Sequence, residues 1–191
     1  AISYGPSRVP AAIDMRCSCT RLYARAQAAK LSRWQRCSTM SPMPKAEAPD
    51  VLAVYDSIVE RLANACKAVY GSRLVSLCVF GSLGRRTPRP DSDIDLLVIA
   101  EGLPDGRIRR VAEFSAVELQ LEGDLAAARA LGLNPFISAL FKTPDEARRG
   151  SPLFLDMIED GRILVDRDGF FGELLASFHR RLDRLGARRI W

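Results

Sequence analysis

Two short runs of this chain carry residue types that do chemistry together. Gly81-Ser82 follows the apolar run Leu74-Val-Ser-Leu-Cys-Val-Phe80. Ten residues later Asp93-Ile94-Asp95 opens a second apolar run that ends at Ala100. Carboxylates two residues apart on a strand point to the same face. Left alone, Asp93 and Asp95 repel each other, and a divalent cation shared with a triphosphate removes the repulsion. Gly81 lacks a Cβ, so main chain can approach phosphate oxygens there. The Ser82 amide and hydroxyl can donate to phosphate, more so if one helical turn starts at that point. Arg85 and Arg86 follow closely enough to neutralise phosphate charge.

Other readings of these residues are weaker. An EF-hand calcium loop starting at Asp91 needs Gly at its sixth position and Glu at its twelfth. Those positions are Leu96 and Gly102. Gly81-Ser-Leu-Gly84 has the form of a KH-domain Gly-x-x-Gly loop, but that loop joins two helices and this one follows a strand. The sequence has no Gly-Lys-Ser phosphate loop. His179 is the only histidine and lies beside Arg180 and Arg181. It reads as a surface residue, which leaves histidine acid–base catalysis nothing else to draw on.

The elements that must position these groups follow from periodicity. Asp50 is placed to cap a helix whose apolar residues recur from Val51 to Val69, with Gly71 ending it. Leu74–Phe80 and Ile94–Ala100 read as buried strands. Residues 107–130 form a long helix. Phe136–Phe141 is a third strand, and Thr143-Pro-Asp-Glu146 caps a short helix with Pro in its first turn. Leu153–Ile158 is another short helix, Arg162–Val165 a fourth strand, and Phe170–Leu185 a final amphipathic helix. The expected fold class is α+β, a small mixed sheet with helices packed on one face.

The Gly-Ser, ten-residue, Asp-x-Asp spacing and its flanking strands resemble the nucleotidyltransferase superfamily of the DNA polymerase β type. The short chain resembles its minimal, antitoxin-like members, which often work beside a helical HEPN-type partner. The resemblance implies Mg²⁺ held by Asp93 and Asp95, and nucleotide binding at Gly81, Ser82 and Arg85. It also implies transfer of a nucleoside monophosphate, AMP from ATP, to an acceptor hydroxyl, with release of pyrophosphate. The acceptor would lie on a partner protein, as in toxin–antitoxin pairs, rather than on a tRNA end or a small molecule such as an aminoglycoside, and no membrane partner is expected. Two departures stand out. Family members usually carry a third carboxylate on the strand after the long helix, and Pro135–Phe141 has none. Glu118, Glu122 and Asp124 lie upstream, and Asp145 and Glu146 downstream. Arg86 also replaces a glycine common in the family. The competing expectation is therefore a catalytically weak or inactive member that binds a partner as an antitoxin.

Charge and cysteine usage bound the rest. The net charge of +5 is concentrated in residues 1–45, which carry +7 and leave the remaining chain at −2. The body is therefore not basic enough to bind long nucleic acid by charge alone. Residues 1–44 form a basic, Ala/Ser/Arg-rich extension, read as a targeting arm, a helical appendage or an over-extended start before Met40 or Met43. Residues 45–191 form the expected catalytic domain. Cysteines at 17, 19, 37, 66 and 78 are odd in number. They fit a reduced, cytoplasmic protein better than a disulfide framework or a zinc site. No apolar run approaches the ~20 residues that span a bilayer.

Overall fold

In the computed structural model, residues 49–186 are described. The expectations for residues 1–44, including Cys17, Cys19 and Cys37, lie outside them. Helix α1 is Val51–Tyr70. Asp50 caps it by accepting from the amides of Leu52 (3.0 Å) and Ala53 (3.2 Å), and Gly71 ends it at φ 54°. Strand β1 is Leu74–Phe80, and a single helical turn, α2, occupies Gly81–Gly84. Strand β2 is Ile94–Ala100, α3 is Arg107–Ala130, β3 is Ile137–Lys142, α4 is Pro144–Arg148 and α5 is Phe154–Asp160. Strand β4 is Arg162–Asp166 and α6 is Phe170–Arg184.

The four strands form one mixed sheet in the order β3-β2-β1-β4. Strand β1 is antiparallel to both β2 and β4, and β2 is parallel to β3. The α+β class is as expected. The two long helices do share one face, where Leu62, Phe114, Val117 and Leu121 pack on Leu77, Val79, Leu96 and Val98. The shorter helices cover the other face, where Phe154, Met157 and Phe171 pack on Cys78, Phe80, Leu97 and Ile99. Cover on a single face is therefore corrected to cover on both. The physical reason is that β1 and β2 are apolar at nearly every position, and side chains alternate between faces, so both faces need burial.

Two details lock the sheet to its last helix. Ser76, the one buried polar residue that is not grouped with the apolar core among the described residues, donates its hydroxyl to Asp166 Oδ1 at 2.7 Å. The same carboxylate accepts from the amides of Phe171 and Gly172, each at 2.9 Å, satisfying donors at the start of α6. Cys66 and Cys78 are buried free thiols, and burial pushes both up to about 12, so both stay protonated at neutral pH. No helix among the described residues is long and apolar enough to cross a membrane.

Candidate active site

The site is built where β1 hands over to α2. Phe80 is extended, and Gly81 then adopts φ 67°, a left-handed conformation that glycine takes without a Cβ penalty. The turn closes through Arg85 N–H donating to Gly81 O (3.1 Å) and Thr87 N–H to Ser82 O (2.8 Å). A Cβ built on Gly81 would stand 2.6 Å from Asp95 Oδ2. The Asp95 carboxylate thus rests directly on the glycine main chain. On the opposite side of the turn, a Cβ on Gly84 would overlap the main-chain carbonyl of Asp160 at the end of α5. Both glycines are fixed by close approach.

Asp95 sits opposite Phe80 in the β1–β2 register and is half-buried, while Asp93, just before β2, is exposed. Burial pushes the Asp95 carboxyl above its ordinary value, and the nearby Asp93 charge adds to the shift. Neither carboxylate forms an ion pair among the described residues. The contrast with other acids is sharp. Asp56 pairs with Arg86 and Arg162, Asp124 with Arg61, Asp145 with Arg148, Glu146 with Arg110 and Asp160 with Arg85. Asp93 and Asp95 instead stand near each other without such a partner, so their shared charge is left for something else to neutralise.

The loop that delivers Asp93 is held from outside. Tyr55 on α1, 1% exposed, donates its hydroxyl to Ser92 O at 2.7 Å and lies 3.3 Å from Pro90 O. Burial raises its pKa, and the Asp91 and Asp93 charges raise it further. From the other side Asn134 N–H donates to Pro90 O (2.6 Å) and Ile94 N–H to Phe136 O (2.7 Å). Helical periodicity alone puts Tyr55 on the buried face of α1. Its one sequence signal is a hydroxyl among apolar neighbours, which needs a partner when buried.

The remaining candidates fall in distinct places. The half-exposed Arg85 donates to Asp160 Oδ2 at 2.8 Å and stays at the rim of the turn. Arg86 has φ 60°, the left-handed region, which explains why a glycine suits that position, and its guanidinium reaches Asp56 at 2.9 Å. Among the candidate third carboxylates, Asp124, Asp145 and Glu146 are engaged elsewhere. Glu146 closes the capping box of α4, and the Arg110 guanidinium holds its pKa down to about 2. Glu118 and Glu122 remain on α3. The residue of β3 registered beside Asp95 is Ser138, so a hydroxyl stands on the same face at the neighbouring strand position. Among the described residues no group of three His, Cys, Asp or Glu side chains could hold a metal. His179 is exposed, with Nδ1 3.2 Å from Asp183 Oδ2.

Residues 59–164 match the nucleotidyltransferase domain family, over half of the chain. The chain belongs to that family. MJ1305 of Methanocaldococcus jannaschii, a proposed protein adenylyltransferase, is 32% identical over 132 residues, covering 68% of this chain and 84% of the relative. Among solved structures, a toxin–antitoxin complex with AMP-PNP aligns over 65% of this chain and 90% of its own, with 17% identity and a TM-score of 0.39. A mutant of the MntA–HpeT toxin–antitoxin pair aligns over 68% and 90%, with 17% identity and a TM-score of 0.36.

Proposed function

We propose that the protein is a Mg²⁺-dependent adenylyltransferase that moves AMP from ATP to a hydroxyl on a partner protein. The observation that carries this is the Asp93/Asp95 pair, close to each other, with Asp95 against the Gly81 turn and neither acid in an ion pair among the described residues. That donor set fits Mg²⁺, which takes one or two carboxylates and completes its shell with water and substrate phosphates. When bound, the ion would offset charge on the triphosphate and on the leaving pyrophosphate.

The chain's own residues have separable roles. Gly81 and Ser82 would receive the β- and γ-phosphates on main-chain amides and the Ser82 hydroxyl. Arg85 would add positive charge at the rim. The acceptor hydroxyl oxygen bonds to the α-phosphorus as the bond to the β-phosphate oxygen breaks, and pyrophosphate leaves. Adenosine as the nucleoside and a protein as acceptor are supported by the name of the 32%-identical relative. A helical HEPN-type partner is the first acceptor to test. Incubation with ATP labelled at the α-phosphate, alone and with the product of the neighbouring gene, should label the partner only when Mg²⁺ is present. Label carried from γ-labelled but not from α-labelled ATP would show phosphoryl transfer and end this reading.

Ser138 favours a second reading, in which the fold binds nucleotide and partner but transfers slowly. It also gives a test. Ser138→Asp would place a third carboxylate on the face of Asp95, one strand away. We expect Mg²⁺ to half-saturate this variant at roughly tenfold lower concentration, because an added carboxylate raises both site charge and ligand number. Unchanged Mg²⁺ dependence would mean that position 138 does not face the ion.

Tyr55 is expected to act as a positioning residue for Asp93. Tyr55→Phe keeps the ring and loses the hydrogen bond to Ser92, at a stability cost of about 1 kcal/mol. Outer supports of this kind change metal affinity by ~10-fold or more. The Mg²⁺ concentration for half-maximal transfer should therefore rise while the KM for Mg·ATP at saturating metal changes little. A variant that loses only stability would return Tyr55 to a plain core role.

A further inference from the structure

Helix α3 turns an apolar face to solvent. Ile108 is 86% exposed and Leu119 72%. They are eleven residues apart, about three turns and roughly 16 Å, and so lie on one side of the helix. Val111, Ala112, Ser115 and Ala116, all exposed, fill the turns between them. The opposite side, Phe114, Val117, Leu121 and Ala128, is already buried in the domain core. A solvent-facing helix side ordinarily carries the charges. Here they stand along the flanks. Arg107 and Arg109 lie in the first turn, which contains no acid, against the helix dipole. Glu118 and Glu122 lie three to four turns later. None of these four forms an ion pair among the described residues. On the same helix Arg110, Glu113 and Asp124 pair with Glu146, Arg73 and Arg61.

We propose that this face is a two-fold interface between two copies of the chain. With the two α3 helices antiparallel, Ile108 of one copy meets Leu119 of the other, and the second Ile108–Leu119 pair forms by symmetry. Helical rotation puts Arg107 on the same flank as Glu118 and Glu122. In this register each Arg107 falls between Glu118 and Glu122 of the other copy. A parallel arrangement would exchange the flanks and set Arg107 against Arg109 at the same height. The surface is thus complementary to itself in one orientation, which is what an isologous contact requires. A partner of different chemistry would need to match only one charge sign, and this stripe offers both, in mirrored order. One helix face is small for a stable interface, so a micromolar, salt-sensitive dimer is expected.

Sedimentation velocity of the full chain, from low micromolar to about 100 µM, tests the proposal. The chain should pass from monomer to dimer, and Ile108→Asp should weaken the dimer about tenfold or more while leaving thermal melting intact. Arg107→Glu alone, and Glu118→Arg/Glu122→Arg together, should each weaken it. All three substitutions combined should restore it, which no folding defect would mimic. A monomer throughout this range would overturn the proposal. So would a dimer indifferent to Ile108→Asp and to the charge reversals, or a chain that pairs only with a different protein.

Discussion

Asp95→Asn is expected to abolish adenylyl transfer, by about 10³-fold or more (~4 kcal/mol), and yet to melt at a higher temperature than the wild type in metal-free buffer. Both effects come from one cause. Burial and the Asp93 charge hold the Asp95 carboxyl above its ordinary pKa, and it has no ion-pair partner among the described residues. A group whose pKa is raised on folding adds stability below its unfolded value and loses it as pH rises through its folded value. The wild type should therefore shed this increment above roughly pH 4, and the amide variant should not. The gap in melting temperature should widen between acid and neutral pH. Mg²⁺ should reverse the order, because it binds the ionised pair and stabilises the wild type alone. Thermal melts at several pH values, with and without Mg²⁺, check this. A variant less stable than wild type at neutral pH, or equally stabilised by Mg²⁺, would show that the Asp95 charge is satisfied within the protein.

Gly81→Ala should cost about 10²-fold in transfer rate, an effect out of proportion to its stability cost. An L-residue at φ 67° is strained by roughly 1–2 kcal/mol. In addition, its Cβ would press on Asp95 Oδ2, so the carboxylate must rotate off the turn. A misplacement of ~1 Å in a reacting array is enough for such a loss. Gly169→Ala supplies the control. Its φ of 67° equals that of Gly81 and imposes similar strain, but no atom lies within 4 Å of the added Cβ. The two variants should melt at comparable temperatures and differ widely in rate. Equal rates would mean that the Gly81–Asp95 contact is not part of the site.

The local elements were legible because their signals are local. Asp50 caps α1 as its side chain suggested, and Leu74–Phe80 and Ile94–Ala100 are strands at the expected bounds. Cover on both faces of the sheet was also written in the sequence, since Cys78 and Phe80 are as apolar as Leu77 and Val79. What could not be read depends on pairing between distant segments. Ser138 stands beside Asp95 only through the parallel register of β2 and β3, set by the 36-residue crossover from Ile94–Ala100 to Ile137–Lys142 that contains α3. Tyr55 and Ser92 meet across 37 positions, and Arg110 and Glu146 across 36. Arg86 could be seen to replace a glycine, but only its φ shows that the backbone there is left-handed.

The measurement that reaches the central claim without knowledge of the acceptor is Mn²⁺ binding, followed by electron paramagnetic resonance, with a non-hydrolysable ATP analogue. The wild type should take up Mn²⁺ with the analogue, and the Asp93→Ala/Asp95→Ala protein should leave the free-ion signal at the level that the analogue alone sets. Equal Mn²⁺ uptake by the double variant would place the metal and its triphosphate elsewhere on the molecule.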